Sequence, residues 1–357
     1  MKVVSIVGAR PQFVKAAPVC RALRERHTEV LVHSGQHYDY EMSDVFFEQL
    51  GIPAPDYNLA VGSGGHGRQT GEMLGMLEEL LVELAPDCVI VYGDTNTTLA
   101  GGLAAAKLTI PVAHVEAGLR SYNRTMPEEI NRVVVDHVSD LLLCPTRAAV
   151  ANLLAEGITD GVELVGDVML DTARFFAENV DIAATVQEFG VEEGRFYLAT
   201  VHRASTSDNR ERLASVISAF STLDHPVIWA IHPRTAKNLE SLGLGDMLKR
   251  AENIRPVPPL SYIQTVGLLR AARGLITDSG GMQKEAYFFG VPCVTLREET
   301  EWIETVELGW NSLAGTDESR IAQAVAELSR PDMHPDVYGD GRAAEAIVAS
   351  LEKRYAH

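Results

Sequence analysis

The sequence predicts an α/β protein with two Rossmann-like domains. Short β-branched runs alternate with longer segments of helical period, which indicates parallel βαβ units with helices on both faces of a sheet. This pattern starts again after Gly166, and the length of 357 residues also fits two domains better than one oversized core. We therefore expect domains at residues 1–166 and 167–342, with parallel sheets that face a central cleft. The final helix, about 343–357, is expected to pack back on the first domain.

In the first half, strands and helices alternate from the N-terminus. Residues 3–7 form a β-branched run that ends at Gly8, and Pro11 suits the first turn of a helix. Residues 88–92 have no polar alternation, which is typical of a strand buried on both faces. The other predicted elements are helices at 15–26, 72–84, 99–107 and 127–139, strands at 29–33 and 112–115, and a glycine-rich loop at 61–67.

The second half repeats this alternation. Its predicted strands are short apolar runs, each followed by polar or glycine residues. The predicted elements are strands at 196–201, 227–231, 274–277 and 293–296, and helices at 171–178, 210–220 and 282–289.

Composition excludes several classes of protein. Lys plus Arg is 31 and Asp plus Glu is 49, so the net charge is −18, which argues against a non-specific nucleic-acid binder. The four cysteines are far apart and have no neighbouring histidines at metal-ligand spacing, so we expect no metal site. No run reaches the ~18 apolar residues that would span a bilayer, and no signal peptide is visible. These features predict a cytoplasmic protein without membrane insertion.

Ligands of doubly wound sheets bind beyond the carboxyl ends of the strands, so polar residues at these ends are candidate site residues. After the first strand, Arg10 and Lys15 lie beside a predicted helix N-terminus, which suits an anion. The alternative is an ordinary surface loop. No G-x-G-x-x-G or G-x-x-x-x-G-K-[ST] motif is present, which argues against a tightly bound dinucleotide in this half and against a P-loop nucleotidase.

Three carboxylates follow at later strand and helix ends of the first half. Asp94 ends the buried strand at 88–92, where it could instead be a helix N-cap. Glu116 ends the next strand and is followed by Ala-Gly, which is not a capping pattern. Glu128 comes just after a proline at a helix start, where an acid could simply favour the helix dipole.

The second half has cations and a glycine turn at its strand ends. His202-Arg203 and His232-Pro233-Arg234 end two neighbouring strands, which suggests an anionic ligand. Ser279, Gly280 and Gly281 open a helix after another strand, so that free N–H groups can meet a diphosphate. Glu285, one turn into that helix, can reach the two hydroxyls of a ribose.

Six motifs stand in order along the chain: Gly8-Ala9-Arg10-Pro11, Gly35-Gln36-His37, Gly93-Asp94, His114 to Arg120, Pro127 to Arg132, and Thr277 to Gly281. Together they resemble the non-hydrolysing UDP-N-acetylglucosamine (UDP-GlcNAc) 2-epimerases, over residues 1 to about 350. The resemblance implies a GT-B architecture, an active site between the domains, a homodimer and a role in making precursors of cell-surface polysaccharides.

The resemblance also implies roles for individual residues. Arg10 and Lys15 match cations near the substrate phosphates, and Asp94, Glu116 and Glu128 match carboxylates implicated in proton transfer. His202 matches the histidine that helps UDP leave. In the second domain, Ser279, Gly280 and Gly281 match the diphosphate cradle, and Glu285 matches the ribose ligand. Elimination and re-addition of UDP requires no redox cofactor and no metal.

Several alternatives remain open from the sequence. Many family members have Arg where Trp302 stands here, and the Glu301-Trp302 form resembles a branch that acts on UDP-2,3-diacetamido-2,3-dideoxyglucuronate. Its C6 carboxylate would need a cation such as Arg124, Arg203 or Arg297. A GT-B glycosyltransferase or a non-catalytic UDP-sugar sensor would share the Ser-Gly-Gly turn. Some family members also bind a second UDP-GlcNAc as an activator, for which the matching residues are Gln36, His37, Arg68 and His232.

Overall fold

The computed structural model describes residues 1–35, residue 52 and residues 54–355. The chain divides into two compact units. Unit 1 comprises Met1–Thr172 and Asp336–His357, and unit 2 comprises Ala173–Pro335. None of the described helices is both long and apolar enough to cross a membrane.

Unit 1 contains a seven-stranded parallel sheet in the order β3-β2-β1-β4-β5-β6-β7. Its elements are β1 (Lys2–Val7), α1 (Arg10–Arg24), β2 (Thr28–His33), β3 (Tyr57–Asn58), α2 (His66–Leu84), β4 (Cys88–Tyr92), α3 (Asn96–Lys107), β5 (Val112–Val115), α4 (Pro127–Val138), β6 (Leu141–Cys144), α5 (Arg147–Ala155), β7 (Val162–Leu164), the start of α6 (Val168–Asn179) and the C-terminal α16 (Ala343–Tyr355).

Unit 2 contains a six-stranded parallel sheet in the order β10-β9-β8-β11-β12-β13. Its elements after α6 are α7 (Ile182–Glu188), β8 (Tyr197–Val201), α8 (Ala204–Ser207), α9 (Arg210–Ser221), β9 (Val227–Ile231), α10 (Pro233–Ser241), α11 (Gly245–Arg250), β10 (Ile254–Val257), α12 (Tyr262–Ala271), β11 (Gly274–Thr277), α13 (Gly280–Phe288), β12 (Cys293–Thr295), α14 (Ile303–Glu307), β13 (Asn311–Leu313) and α15 (Glu318–Ala326). The predicted α/β class with two parallel sheets is confirmed.

Apolar side chains from the strands and covering helices form a separate core in each unit. In unit 1, Ile6 and Val91 of the central strands pack with Leu77 of α2 and Ala104 of α3. Gly101 of α3 lies so close to the sheet that an added Cβ would be 3.0 Å from the Ile6 side chain. In unit 2, a large cluster includes Trp229 on β9 and Phe220 on α9, whose rings meet edge to face.

The units divide within α6, later than the boundary predicted near Gly166. The first turn of α6 stays with unit 1 because Thr172 Oγ1 donates to Val14 O at 2.8 Å. The chain returns from unit 2 to unit 1 after Pro335, whereas the predicted second domain ended at residue 342. The return is earlier because the segment that leads to α16 is already hydrogen-bonded to unit 1. There Asp167 N donates to Tyr338 O at 2.9 Å.

Asp171 caps α16 and supplies a pH-dependent contribution to stability. Its carboxylate accepts hydrogen bonds from Ala343 N at 3.1 Å and Ala344 N at 2.8 Å. Burial raises the pKa of Asp171 to about 6, and these hydrogen bonds only partly oppose the effect. The carboxylates of Asp167 and Asp340 raise it further.

Since the folded pKa exceeds the value of about 3.9 in an unfolded chain, the folded state binds this proton first as the pH falls. Protonation of Asp171 therefore increases the free energy of unfolding as the pH falls below neutral. We expect the wild type to gain about 1 kcal/mol relative to Asp171→Asn between pH 7 and pH 5. Urea unfolding of both proteins at the two pH values measures this, and an unchanged difference would contradict it.

Candidate active site

Three neighbouring strands of unit 1 bring the predicted site residues together. β1, β4 and β5 are adjacent and parallel, so the segments after Val7, Tyr92 and Val115 leave the same edge of the sheet. These segments carry Arg10 and Lys15, then Asp94, and then Glu116. The described residues contain no group of three or more His, Cys, Asp or Glu arranged to hold a metal ion.

Helix α1 begins at Arg10, five residues before the predicted start at Lys15. The cause is Gln12, whose Oε1 accepts hydrogen bonds from Gly8 N at 2.8 Å and Ala9 N at 3.0 Å. Its Nε2 donates to Tyr92 O at 2.9 Å, which ties the start of α1 to the end of β4. Gln12 was not among the residues predicted from the sequence. The side chain of Arg10 lies outside the described part of the chain, so its predicted contact with phosphate remains a prediction.

Lys15 pairs with Glu116. Its ammonium contacts Glu116 Oε2, and both side chains are about nine-tenths buried. Gly93 lies against both groups, since an added Cβ would be 2.8 Å from Lys15 Nζ and 3.3 Å from Glu116 Oε2. Lys15 was predicted to meet substrate phosphates, and in the structure its charge is matched by a carboxylate of the same site.

Asp94 pairs with Arg132. The N-cap of α3 is Thr95, whose hydroxyl accepts from Thr98 N, so the capping alternative for Asp94 is wrong. One end of the Arg132 guanidinium contacts Asp94 Oδ2, and Nη1 donates to Glu129 Oε2 at 2.7 Å. Asn131 Nδ2 also donates to Asp94 O at 2.9 Å. The first turns of α4 therefore hold the Asp94 loop.

The two adjacent acids of α4 lie in different environments. Glu128 is exposed, whereas Glu129 is only 3% exposed. Besides Arg132, Glu129 accepts hydrogen bonds from Ser121 N at 2.9 Å and Tyr122 N at 2.8 Å. Glu129 thus anchors the loop before α4. Glu129 was not among the predicted site residues, although its i,i+3 spacing from Arg132 is a signal for an ion pair.

The turn after β5 is held in an unusual backbone conformation. Glu116 has φ +69°, in the left-handed region that non-glycine residues seldom occupy. Its N–H and that of Ala117 both donate to Leu143 O on β6. Gly118 has φ +81°, and an added Cβ there would be 2.4 Å from Ala149 O. The position of Glu116 therefore depends on a turn that packs directly against the backbone of α5.

Gly118→Ala is expected to destabilise unit 1. Gly157 is a matched control, because it has the same φ of +81° but nothing within 4 Å of an added Cβ. The left-handed backbone alone costs an alanine about 1 kcal/mol, so Gly157→Ala should lose that much. Gly118→Ala should lose about 2 kcal/mol more, because a backbone oxygen must move. Equal losses in chemical unfolding would show that the turn accommodates the methyl group.

In unit 2, Asp278 organises the loop that carries His202. Asp278 is fully buried and accepts hydrogen bonds from His202 N at 3.0 Å and Arg203 N at 2.9 Å. Its Oδ1 also lies 3.2 Å from His202 Nδ1. This contact orients the imidazole, as a carboxylate does for a catalytic histidine. Asp278 stood in a predicted motif without an assigned role.

The Ser-Gly-Gly turn opens α13. Ser279 is its N-cap, and the helix begins at Gly280, so the first N–H groups of α13 are available to an anion. An added Cβ on Gly280 would be 3.4 Å from Trp302 Nε1. Glu285 is 4% exposed, and its Oε1 accepts a hydrogen bond from Tyr262 OH at 2.8 Å. This hydrogen bond orients the carboxylate.

The residues predicted for an activator site are only partly described. Gln36 and His37 lie outside the described residues. Arg68 is on α2, which begins at His66 within the predicted glycine-rich loop, and its exposed guanidinium pairs with Glu72. His232 is the N-cap of α10, and its ring lies 5.8 Å from the ring of His202.

Comparison with known proteins identifies the family. Residues 21–352 match the model of the UDP-N-acetylglucosamine 2-epimerase family. The chain belongs to this family. A relative named UDP-N-acetylglucosamine 2-epimerase homolog, from Methanococcus maripaludis, is 47% identical over 98% of this chain and 99% of the relative. The UDP-2,3-diacetamido-2,3-dideoxy-D-glucuronate 2-epimerase of Pseudomonas aeruginosa is 46% identical over 99% and 100%.

A solved structure of the epimerase family covers the whole fold. The Methanocaldococcus jannaschii UDP-GlcNAc 2-epimerase, in complex with UDP-GlcNAc and UDP, is 42% identical with a TM-score of 0.91 over 99% of this chain and 100% of that chain. The predicted family resemblance and the GT-B fold class are thereby confirmed. The named relatives are UDP-sugar 2-epimerases, which are isomerases.

Proposed function

We propose that the chain is a non-hydrolysing UDP-GlcNAc 2-epimerase, which interconverts UDP-GlcNAc and UDP-N-acetylmannosamine. The observation that carries this proposal is the set of carboxylates in unit 1. Glu116 and Asp94 follow neighbouring strands, and each contacts a buried cation, Lys15 and Arg132 respectively. Acid–base chemistry on a sugar carbon needs carboxylates that are held in place in this way.

The chemistry explains why several carboxylates are needed. The C2 proton of the sugar is not next to a carbonyl, so simple abstraction would be slow. Removal of this proton as the C1–O bond breaks places the electron pair in a C1=C2 double bond and releases UDP, which gives 2-acetamidoglucal. UDP then adds back at C1 as C2 is protonated on the opposite face. Inversion therefore requires proton donors and acceptors on both faces of the ring.

We assign these proton transfers to Asp94, Glu116 and Glu128. Lys15 neutralises and positions Glu116, and Arg132 does the same for Asp94. Glu128 is exposed, the Asp94 side chain is 30% exposed, and Glu116 is buried.

Unit 2 carries the groups that we assign to UDP. The N-terminus of α13, with Ser279, Gly280 and Gly281, would bind the diphosphate through its N–H groups and dipole. Glu285 would accept hydrogen bonds from the ribose hydroxyls. His202, oriented by Asp278, would stabilise the leaving UDP. The resemblance adds Arg10 as a further cation at the phosphates.

The second candidate substrate is UDP-2,3-diacetamido-2,3-dideoxyglucuronate. The Pseudomonas relative of that name favours it, as does Trp302. Its C6 carboxylate would need an available cation. Arg297, however, makes a bidentate pair with buried Glu301, at 3.0 and 3.1 Å. Burial would raise the pKa of Glu301, but Arg297 and then Arg203 lower it below its ordinary value. Glu301 therefore already pairs with Arg297, one of the three candidate cations for this carboxylate, and this pairing favours the neutral sugar.

Incubation with each UDP-sugar in deuterated buffer, followed by proton NMR, tests the proposal. With UDP-GlcNAc we expect the manno epimer to form with deuterium at C2. If only UDP-2,3-diacetamido-2,3-dideoxyglucuronate is turned over, that sugar is the substrate and the assignment to UDP-GlcNAc is wrong. A glycosyltransferase would transfer the sugar to an acceptor without exchange at C2, and a sensor would bind UDP-GlcNAc without any exchange.

We further propose that the enzyme is a cytoplasmic homodimer that makes precursors of cell-surface polysaccharides. Light scattering on the purified protein measures its mass in solution, and a mass near the 38.8 kDa of one chain would contradict the dimer. The proposed activator site predicts a sigmoidal dependence of rate on UDP-GlcNAc. Hyperbolic kinetics would remove Gln36, His37, Arg68 and His232 from that role.

A further inference from the structure

His114 is a fully buried histidine of β5 whose two ring nitrogens both meet oxygen acceptors. Nδ1 lies 2.7 Å from Asp136 Oδ1, and Nε2 lies 2.7 Å from Gly93 O. A carbonyl oxygen can only accept, so Nε2 donates. A carboxylate can also only accept, so Nδ1 donates as well. Donation from both nitrogens requires the imidazolium form of the ring.

The surroundings of Asp136 support its ionised form. Its Oδ2 accepts hydrogen bonds from Arg120 Nη1 at 2.6 Å and Gly118 N at 3.2 Å. Arg120 in turn makes a bidentate pair with Glu156, at 2.6 and 2.7 Å. Burial would raise the pKa of Asp136, but His114 and Arg120 together lower it below its ordinary value. The four side chains form a network of alternating charge.

This network joins the two backbone segments that carry the proposed catalytic carboxylates. The carbonyl that His114 binds belongs to Gly93, the residue before Asp94. The N–H that Asp136 binds belongs to Gly118, two residues after Glu116. Glu116 has a left-handed backbone, at φ +69°, which a non-glycine residue keeps only when its surroundings hold it.

We propose that His114 is a positioning residue whose ring, in its imidazolium form, donates a hydrogen bond from each nitrogen. It holds the Gly93 carbonyl with one nitrogen and Asp136 with the other, and so sets the positions of Asp94 and Glu116. The kinetic consequence of this role rests on the proposed epimerase function, whereas its charge state and its effect on the backbone do not.

Nitrogen-15 NMR on histidine-labelled protein tests the charge state directly. The His114 signals are assigned from their loss in His114→Asn. We expect two protonated ring nitrogens in the wild type. In Asp136→Asn, the new amide can donate to Nδ1, so we expect one protonated nitrogen with the bond to Gly93 O retained. A single protonated ring nitrogen of His114 in the wild type would show that the ring is neutral and would contradict the proposed imidazolium form.

Two variants test positioning. His114→Asn keeps a donor near Asp136 but leaves the Gly93 carbonyl without one, whereas Asp136→Asn keeps both hydrogen bonds. We expect kcat to fall about 100-fold in His114→Asn, since small displacements of catalytic groups have effects of this size. We expect a much smaller loss in Asp136→Asn. UDP affinity, which we assign to unit 2 and to Arg10, should stay unchanged in both variants.

A folded His114→Asn protein with wild-type kcat would overturn the positioning role. If the wild type turns over neither UDP-sugar, the proposed function is wrong. The positioning role is then tested by amide hydrogen exchange instead of kcat. His114→Asn should then accelerate exchange in segments 93–96 and 116–118 and leave unit 2 unchanged. Unaltered exchange in those segments would refute positioning whatever the enzyme does.

Discussion

Glu116→Gln is expected to abolish epimerisation and leave UDP affinity unchanged. The substitution keeps the shape of the side chain but removes the carboxylate that we assign to proton transfer. General acid–base groups contribute about 10²- to 10⁴-fold to rate, so kcat should fall by this amount. Deuterium exchange at C2 should be lost in parallel. Proton NMR measures turnover and exchange, and calorimetry measures UDP binding.

The buried ion pair requires a control for this variant. Glu116→Gln leaves the Lys15 ammonium opposite a neutral amide, which lowers stability by itself. Lys15→Met combined with Glu116→Gln removes that charge and should recover stability without recovering turnover. Recovery of turnover in the double variant would mean that Glu116 only neutralises Lys15. Loss of UDP affinity in Glu116→Gln would also contradict the assigned role.

Glu285→Ala is expected to weaken UDP binding about 100-fold. Two hydrogen bonds from ribose hydroxyls to a carboxylate are together worth about 3 kcal/mol, and each 1.4 kcal/mol is a factor of ten in Kd. At saturating substrate, kcat should fall much less than affinity. Titration with UDP measures the loss, and a variant with wild-type affinity would remove Glu285 from the ribose site.

Tyr262→Phe and 2′-deoxy-UDP separate orientation from direct contact. Tyr262 OH donates to Glu285 Oε1, so its removal frees the carboxylate without deleting it. Tyr262→Phe should lose less UDP affinity than Glu285→Ala. With 2′-deoxy-UDP, the difference between wild type and Glu285→Ala should shrink, because one of the two hydrogen bonds is already absent. An unchanged difference would place Glu285 away from the ribose 2′-hydroxyl.

Local patterns predicted most of the fold. The strands at 88–92, 112–115, 227–231 and 274–277 have the observed bounds, because β-branched runs between turn residues are a local signal. Strand β6 (Leu141–Cys144) was missed, since Leu-Leu-Leu-Cys has no β-branched residue and no alternation. Its strand conformation depends on pairing with β5 and β7, which the local sequence does not reveal.

The sequence predicted individual site residues but not the ion pairs and hydrogen bonds that they form. Strand ends located Asp94, Glu116 and His202, but the partner of Lys15 lies 101 residues away, and that of Asp278 lies 76 residues away. Glu128 and Glu129 are adjacent and chemically alike, so which one is buried depends on which face of α4 packs against the rest of unit 1. His114 was absent from the candidates for the same reason, since its partner Asp136 becomes a neighbour only when α4 packs on β5.

The chain order of the two units has a consequence for folding during synthesis. Unit 2 is one continuous segment, whereas unit 1 needs residues from both ends of the chain. On the ribosome, unit 2 can therefore complete its core before unit 1 does, although unit 1 is begun first. Until α16 emerges, the α1 face that it covers stays exposed, so a nascent chain that stalls in the last twenty residues should be a preferred chaperone and protease substrate.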